Sequence, residues 1–121
     1  MPNIAEPTSR KSLLVVVTSD PKSSHRPAEA IRLAAGVAAW RKVDISIYFA
    51  GPAVVAVSPD PDDFVDEESY TRYLPMLQEF GCPILVEGGR PAAGPTSVPY
   101  ATISPKELAT RAAQMTYLLR F

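Results

Sequence analysis

The chain has 121 residues, with 12 basic and 13 acidic side chains, one Cys, one His and 13 prolines. That length fits one domain. A formal charge of −1 excludes a polycationic nucleic-acid binder and argues against an electrostatic membrane anchor, and a lone Cys excludes an internal disulfide or a multi-thiolate metal site.

Proline runs at roughly twice its average share, but with only 6 glycines and 46% hydrophobic residues the composition is that of a chain with a real core. Residues 1–11 are polar with two prolines and read as a loose tail, ahead of a single α/β domain over 12–121. They lack the apolar stretch of a signal peptide. Nothing in the chain approaches the roughly 20 apolar residues of a membrane span. The expected compartment is the cytoplasm.

The run SLLVVVTSD is apolar on both sides of a strand, the mark of a buried parallel sheet. PAEAIRLAAGVAAWRKV follows as an Ala-rich helix with Ile31, Ala34, Ala35, Ala38 and Ala39 at helical spacing. VDISIYFAG is a second strand, with Ile45, Ile47 and Phe49 on one face and Ser46 and Tyr48 on the other. Gly51 ends it, and Pro52 opens a short helix through Val57. SPDPDDFVDEE reads as a loop. A helix with Tyr70, Tyr73, Leu74 and Leu77 on one stripe comes next, and Pro75 should either kink it or mark its start. Gly81 stops that helix and PILVE is the third strand. GGRPAAGPTSVP is a loop and PYATI a short strand. Ser104, Pro105 and Glu107 spell a capping box, and after ELATRAAQ the segment TYLLRF closes the chain as a strand. The alternation predicts a three-layer α/β sandwich around a mainly parallel sheet of about five strands, flavodoxin-like in general architecture.

Ligands of such sheets gather outside the carboxyl ends of the strands. Three loops qualify there: residues 18–26, with Ser19, Asp20, His25 and Arg26; residues 50–52, with Gly51; and residues 87–90, with Glu87, Gly88 and Arg90. A helix opening at Pro52 would aim free amides at an anion on this edge. His25 has no evident partner in sequence. Glu87 has two structural readings, a cap on the Gly88–Gly89 turn and a pair with Arg90. Cys82, the obvious nucleophile by residue type, falls at the amino end of the third strand with no cation beside it, so a buried, inert thiol is expected. The acidic run Asp60, Asp62, Asp63, Asp66, Glu67 and Glu68 fails the spacing of an EF-hand and reads as a solvated approach to a helix N-terminus. No dinucleotide fingerprint, Walker sequence or nucleophile elbow is present. No metal and no cofactor is expected.

The succession SLLVVVTSDP, Ala-rich helix, VDISIYFAGPAV and YLPMLQEFGCPILVEGG resembles the DsrE/DsrF-like, TusD-related sulfur-relay family. The ending SPKELATRAAQMTYLLRF is similar to that family's last helix and strand, so the likeness spans residues 12–121. It rests most on residues 49–54 and 81–86. It implies a DsrE-like fold, a homo-oligomer (trimer or hexamer) and a sulfur-carrier protein as partner. Members that carry sulfur hold it as a persulfide on a Cys at the end of the third strand. That position falls at or near Glu87, and a carboxylate cannot hold sulfane sulfur. Two readings follow. One is a sulfur-relay component, using Cys82 or serving as a non-catalytic subunit docked to a carrier. The other is a small-ligand binder or non-thiol enzyme in which Glu87 acts as acid or base beside Asp20, His25 or Arg90.

Overall fold

The computed structural model describes residues 10–57, 63–88 and 98–121. Five strands, β1 (Lys11–Val17), β2 (Val43–Phe49), β3 (Ile84–Glu87), β4 (Ala101–Ile103) and β5 (Tyr117–Arg120), form one sheet in the order β4-β3-β2-β1-β5. Every neighbouring pair is parallel. The chain therefore steps outward from β1 to β4 and then returns to the far side of β1. Right-handed crossovers put the helices of the outward steps on one face and the helix of the return step on the other.

The packing follows that rule. Helices α1 (Arg26–Trp40) and α2 (Glu67–Glu79) cover the face carrying Leu13, Val15, Val17, Ile45, Ile47, Phe49, Ile84 and Val86. Helix α3 (Pro105–Ala113) lays Leu108 and Ala112 over the other face, on Leu14, Val16, Tyr48, Leu85 and Ile103. Residues 13–17 and 45–49 are each buried without a break, because each face of β1 and β2 has its own cover. On α1, the alanines 30, 34, 35 and 38 are buried and bring the helix close to the sheet.

The elements match the expected order, with local differences. Strand β1 takes Lys11 from the expected tail, and residues 1–9 lie outside the described residues. Helix α1 stops three residues short of Val43, because Arg41 turns left-handed (φ 60°) and its amide closes on the Ala38 carbonyl. The acidic loop ends earlier than expected: Glu67 and Glu68 belong to the first turn of α2, where the helix dipole favours carboxylates. Pro75 does not start α2. It sits inside the helix at an exposed position, between the buried Leu74 and Leu77. Gly81 ends the helical segment with φ 77°, a conformation that favours glycine. The short helix at Pro52 is a 3-10 helix over Gly51–Val57 that buries Ala53, Val54, Ala56 and Val57. The long loop after Gly88 falls outside the described residues through position 97.

The capping box forms as the sequence spells it. The Ser104 hydroxyl accepts from the Glu107 amide (3.1 Å), and Glu107 Oε1 accepts from the Ser104 amide (2.8 Å). That backbone hydrogen bond, chiefly, holds the Glu107 carboxyl below its usual range. A carboxylate with a lowered folded pKa stabilises the fold above its unfolded pKa and loses that contribution as pH falls through the folded value. Ser104→Ala should cost about 1 kcal/mol at neutral pH. It should also flatten the loss of stability below pH 4.5, the ordinary carboxyl value. Urea unfolding across acidic and neutral pH checks both.

Candidate functional site

The carboxyl ends of β1, β2 and β3 lie side by side, in the registers Val17 with Phe49 and Phe49 with Val86. Ala50 donates its amide to the Val17 carbonyl (3.0 Å), which straps the start of the second loop to β1. Gly51 then adopts φ 57°, turning the chain into the 3-10 helix. At this turn the Gly51 amide donates to Glu87 Oε1 (2.9 Å). The anion received at the start of this helix is the protein's own carboxylate. Glu87 thus has a partner that neither structural reading named, Gly51, on the turn that ends the neighbouring strand, and both of those readings involve Gly89 or Arg90, which lie outside the described residues.

The third loop is pinned from the other side. Gly88 donates its amide to the Ile103 carbonyl (2.8 Å), and a Cβ at this position would stand 3.2 Å from that carbonyl oxygen. Tyr48, the residue paired with Leu85, is buried beneath the same edge. Burial first, and the charge of Glu87 second, push its phenol above the ordinary value of 10.0. Strand alternation places Tyr48 opposite Phe49 but says nothing of a carboxylate two residues beyond its neighbour on β3, so sequence reasoning did not pair them.

The first loop stands apart from this contact. Asp20 folds over its own turn: Oδ1 accepts from the Lys22 amide (2.9 Å), and its carbonyl accepts from the Ser23 and Ser24 amides. Ser19 is half-buried beside it. His25 does have a partner, Glu29 one turn along α1, with Nε2 3.4 Å from Oε1. Arg26 points its guanidinium over the Phe121 ring and donates to the Arg120 carbonyl (3.2 Å), tying the loop to the end of β5. Arg90 lies outside the described residues. Of the proposed site residues, the structure joins Glu87 and Gly51 directly, sets Gly88 beside them, and engages Asp20 and His25 elsewhere.

Cys82 lies at the amino edge of β3. It is buried, and burial pushes its thiol up to about 12. It lines a cleft of about 380 Å³ with Arg10, Ser46 and Arg111, at the end of the sheet opposite Glu87. Arg10 is committed there to Asp44 (2.6 Å) and to the Arg41 carbonyl (2.9 Å). The acidic residues 63, 66, 67 and 68 are exposed ahead of or within the first turn of α2, and Asp60 and Asp62 lie outside the described residues. Among the described residues, no group of His, Cys, Asp and Glu side chains is disposed to hold a metal ion, and no helix is long and apolar enough to cross a membrane. One further polar group escaped the sequence reading. Among the described residues the buried Tyr70 hydroxyl has no hydrogen-bond partner, and burial, then the charges of Asp66 and Asp20, raise its pKa. Its position on the apolar stripe gave no sign of this.

Solved structures similar to this chain include one from E. coli. The YchN protein from E. coli superposes with a TM-score of 0.76 at 18% sequence identity, over 92% of this chain and 99% of that one. The fold is therefore DsrE-like: a five-stranded, parallel α/β sandwich. No protein-family model matches the sequence. No curated protein matches it either.

Two outcomes test the site's physical description. Glu87→Ala, which removes the acceptor of the Gly51 amide, should cost about 1–2 kcal/mol in urea unfolding, and Glu87→Gln less, because an amide oxygen still accepts. Glu87→Gln should also lower the Tyr48 titration midpoint, followed by NMR of its ring, without returning it to 10.0, since burial is the larger cause. For Cys82, a thiol whose folded pKa is raised stabilises the fold below its unfolded pKa and loses that contribution as pH climbs through the folded value. Stability should therefore fall between pH 9 and about 12, and Cys82→Ala should flatten that decline. A thiol reagent should label Cys82 only as fast as the protein unfolds.

Proposed function

We propose that this chain is a non-catalytic member of a DsrE-like sulfur-relay assembly, a cytoplasmic homo-oligomer (trimer or hexamer) that docks a sulfur-carrier protein without bearing sulfur itself. The observation that carries the reading is the engagement of Glu87. Where the resemblance calls for a persulfide Cys, this chain has a carboxylate with no sulfur chemistry, and that carboxylate is bonded to the Gly51 amide. The only thiol in the sequence is Cys82. It is buried at the opposite end of the strand with its pKa near 12, so little thiolate forms at neutral pH and an incoming sulfur donor has poor access to it. The alternative, a small-ligand binder or an acid–base enzyme at Glu87, has less support, because one carboxylate oxygen is already occupied and His25 and Asp20 are turned to other partners.

The test is persulfide loading from a cysteine desulfurase, read by intact mass on wild type, Cys82→Ala and Glu87→Cys. Wild type and Cys82→Ala should take up no sulfur. Glu87→Cys, which sets a thiol at the amide-rich start of the 3-10 helix, should take up one sulfur per chain. An adduct on wild type that disappears in Cys82→Ala would overturn the proposal.

A further inference from the structure

A serine interrupts the buried run of β2. Ser46 stands opposite Leu14 of β1, on the face that holds Tyr48 beneath α3, and is only 4% exposed. Among the described residues its hydroxyl has no hydrogen-bond partner. The surface it keeps opens into the cleft of about 380 Å³ at the amino edge of the sheet. Leaving a buried hydroxyl unpaired is unfavourable, so such groups are normally met by protein, water or ligand.

The cleft around Ser46 is cationic. Arg10, Arg41 and Arg111 line it against a single carboxylate, Asp44, an excess of two positive charges on a chain whose net charge is −1. Arginines at this edge have a routine use, since the helices end here and their last carbonyls and negative dipole ends attract cations. Backbone amides already fill most of that role. The Ala38 carbonyl of α1 accepts from Arg41, those of Leu77 and Gln78 in α2 from Cys82 and Gly81, and those of Arg111 and Ala112 in α3 from Gln114 and Met115. Only the Arg41 carbonyl takes a guanidinium, that of Arg10 (2.9 Å), which also pairs with Asp44 (2.6 Å). Two guanidiniums are left over. Arg41 rests over the Phe80 ring, 5.6 Å from its centroid, a contact that uses its face and spares the N–H donors in its plane. Arg111, half-buried in the last turn of α3, feels the charge of Glu107 but makes no hydrogen bond or ion pair among the described residues.

We propose that this cleft binds a phosphate-type oxyanion, with Ser46, Arg111 and Arg41 as its donors. The three groups come from different elements: Ser46 from the sheet, Arg111 from the helix laid over that face, and Arg41 from the turn that ends α1. Donors converging from three elements suit the tetrahedral oxygens of a phosphate better than the flat pair of a carboxylate. The excess charge of the lining matches a dianion. A water could accept from Ser46, but it would leave both guanidiniums and their charge unanswered.

The cleft lies at the opposite end of the sheet from Glu87, so its test is independent of the reading given to that residue. Inorganic phosphate, titrated into the full chain at constant pH and ionic strength, should give saturable amide NMR shifts at residue 46 and in the last turn of α3. Arg111→Gln should weaken binding about tenfold, through loss of a charge-assisted hydrogen bond, and Ser46→Ala about threefold. Asp44→Asn, which removes the opposing charge, should tighten it. Arg32→Gln, exposed on α1 outside the cleft, should leave it unchanged. Methyl phosphate separates two sources of the anion: equal or tighter binding assigns it to a phosphate ester, and weaker binding to the free ion. Absence of saturable shifts at residue 46, equal binding of acetate, or unchanged affinity in Ser46→Ala would overturn the proposal. Ser46→Ala, which adds no bulk to the core, keeps the test decisive even if Arg111→Gln does not fold.

Discussion

The organising constraint of this protein is that β1 must be buried on both faces. Its residues 13–17 are apolar without alternation, and the parallel sheet around it has no solvent-facing side in its interior. One face is sealed by the alanines of α1, which lie close because alanine adds so little bulk. Sealing the other requires a helix that crosses in the opposite sense. The chain supplies it by carrying β5 back past β1, with α3 laid over Leu14 and Val16 on the way. The reversal of strand order and the two-sided core are the same fact seen from topology and from packing.

The parallel order also sets what stands at each end of the strands. Because β1, β2 and β3 are consecutive neighbours, the strand ends at 17, 49 and 87 lie side by side, and the carboxylate of Glu87 reaches the amide of Gly51. At this strand end the Gly51 amide is thus taken by an internal anion. The thiol sits at the far end of the same strand, where burial suppresses its ionisation. The length of β3 thus separates the carboxylate from the thiol.

Much of the architecture was legible in local patterns. The apolar runs at 13–17 and 45–49, the alanine spacing of α1 and the Ser104–Glu107 box each announce an element whose stability is decided within a few residues. Boundaries were less legible at Arg41 and Glu67, where the chain end of a helix is set by the left-handed turn or the dipole and not by hydrophobic spacing. Pro75 read as either a kink or a helix start because its missing amide weakens an interior turn, yet the helix runs through it with Leu74 and Leu77 on the buried stripe.

For the site, the sequence alone placed Glu87 at a strand end and Cys82 at the wrong one, because both follow from the limits of a single apolar strand. It also fixed the near-neutral charge and the lone thiol that narrow the chemistry. Only the tertiary structure decided the partners: Glu87 with Gly51, Tyr48 beneath Glu87, and His25 with Glu29. The reason is range. Strand limits and caps are settled between residues a few positions apart, whereas Gly51 and Glu87 meet across 36 positions, brought together only when β2 and β3 lie side by side in register.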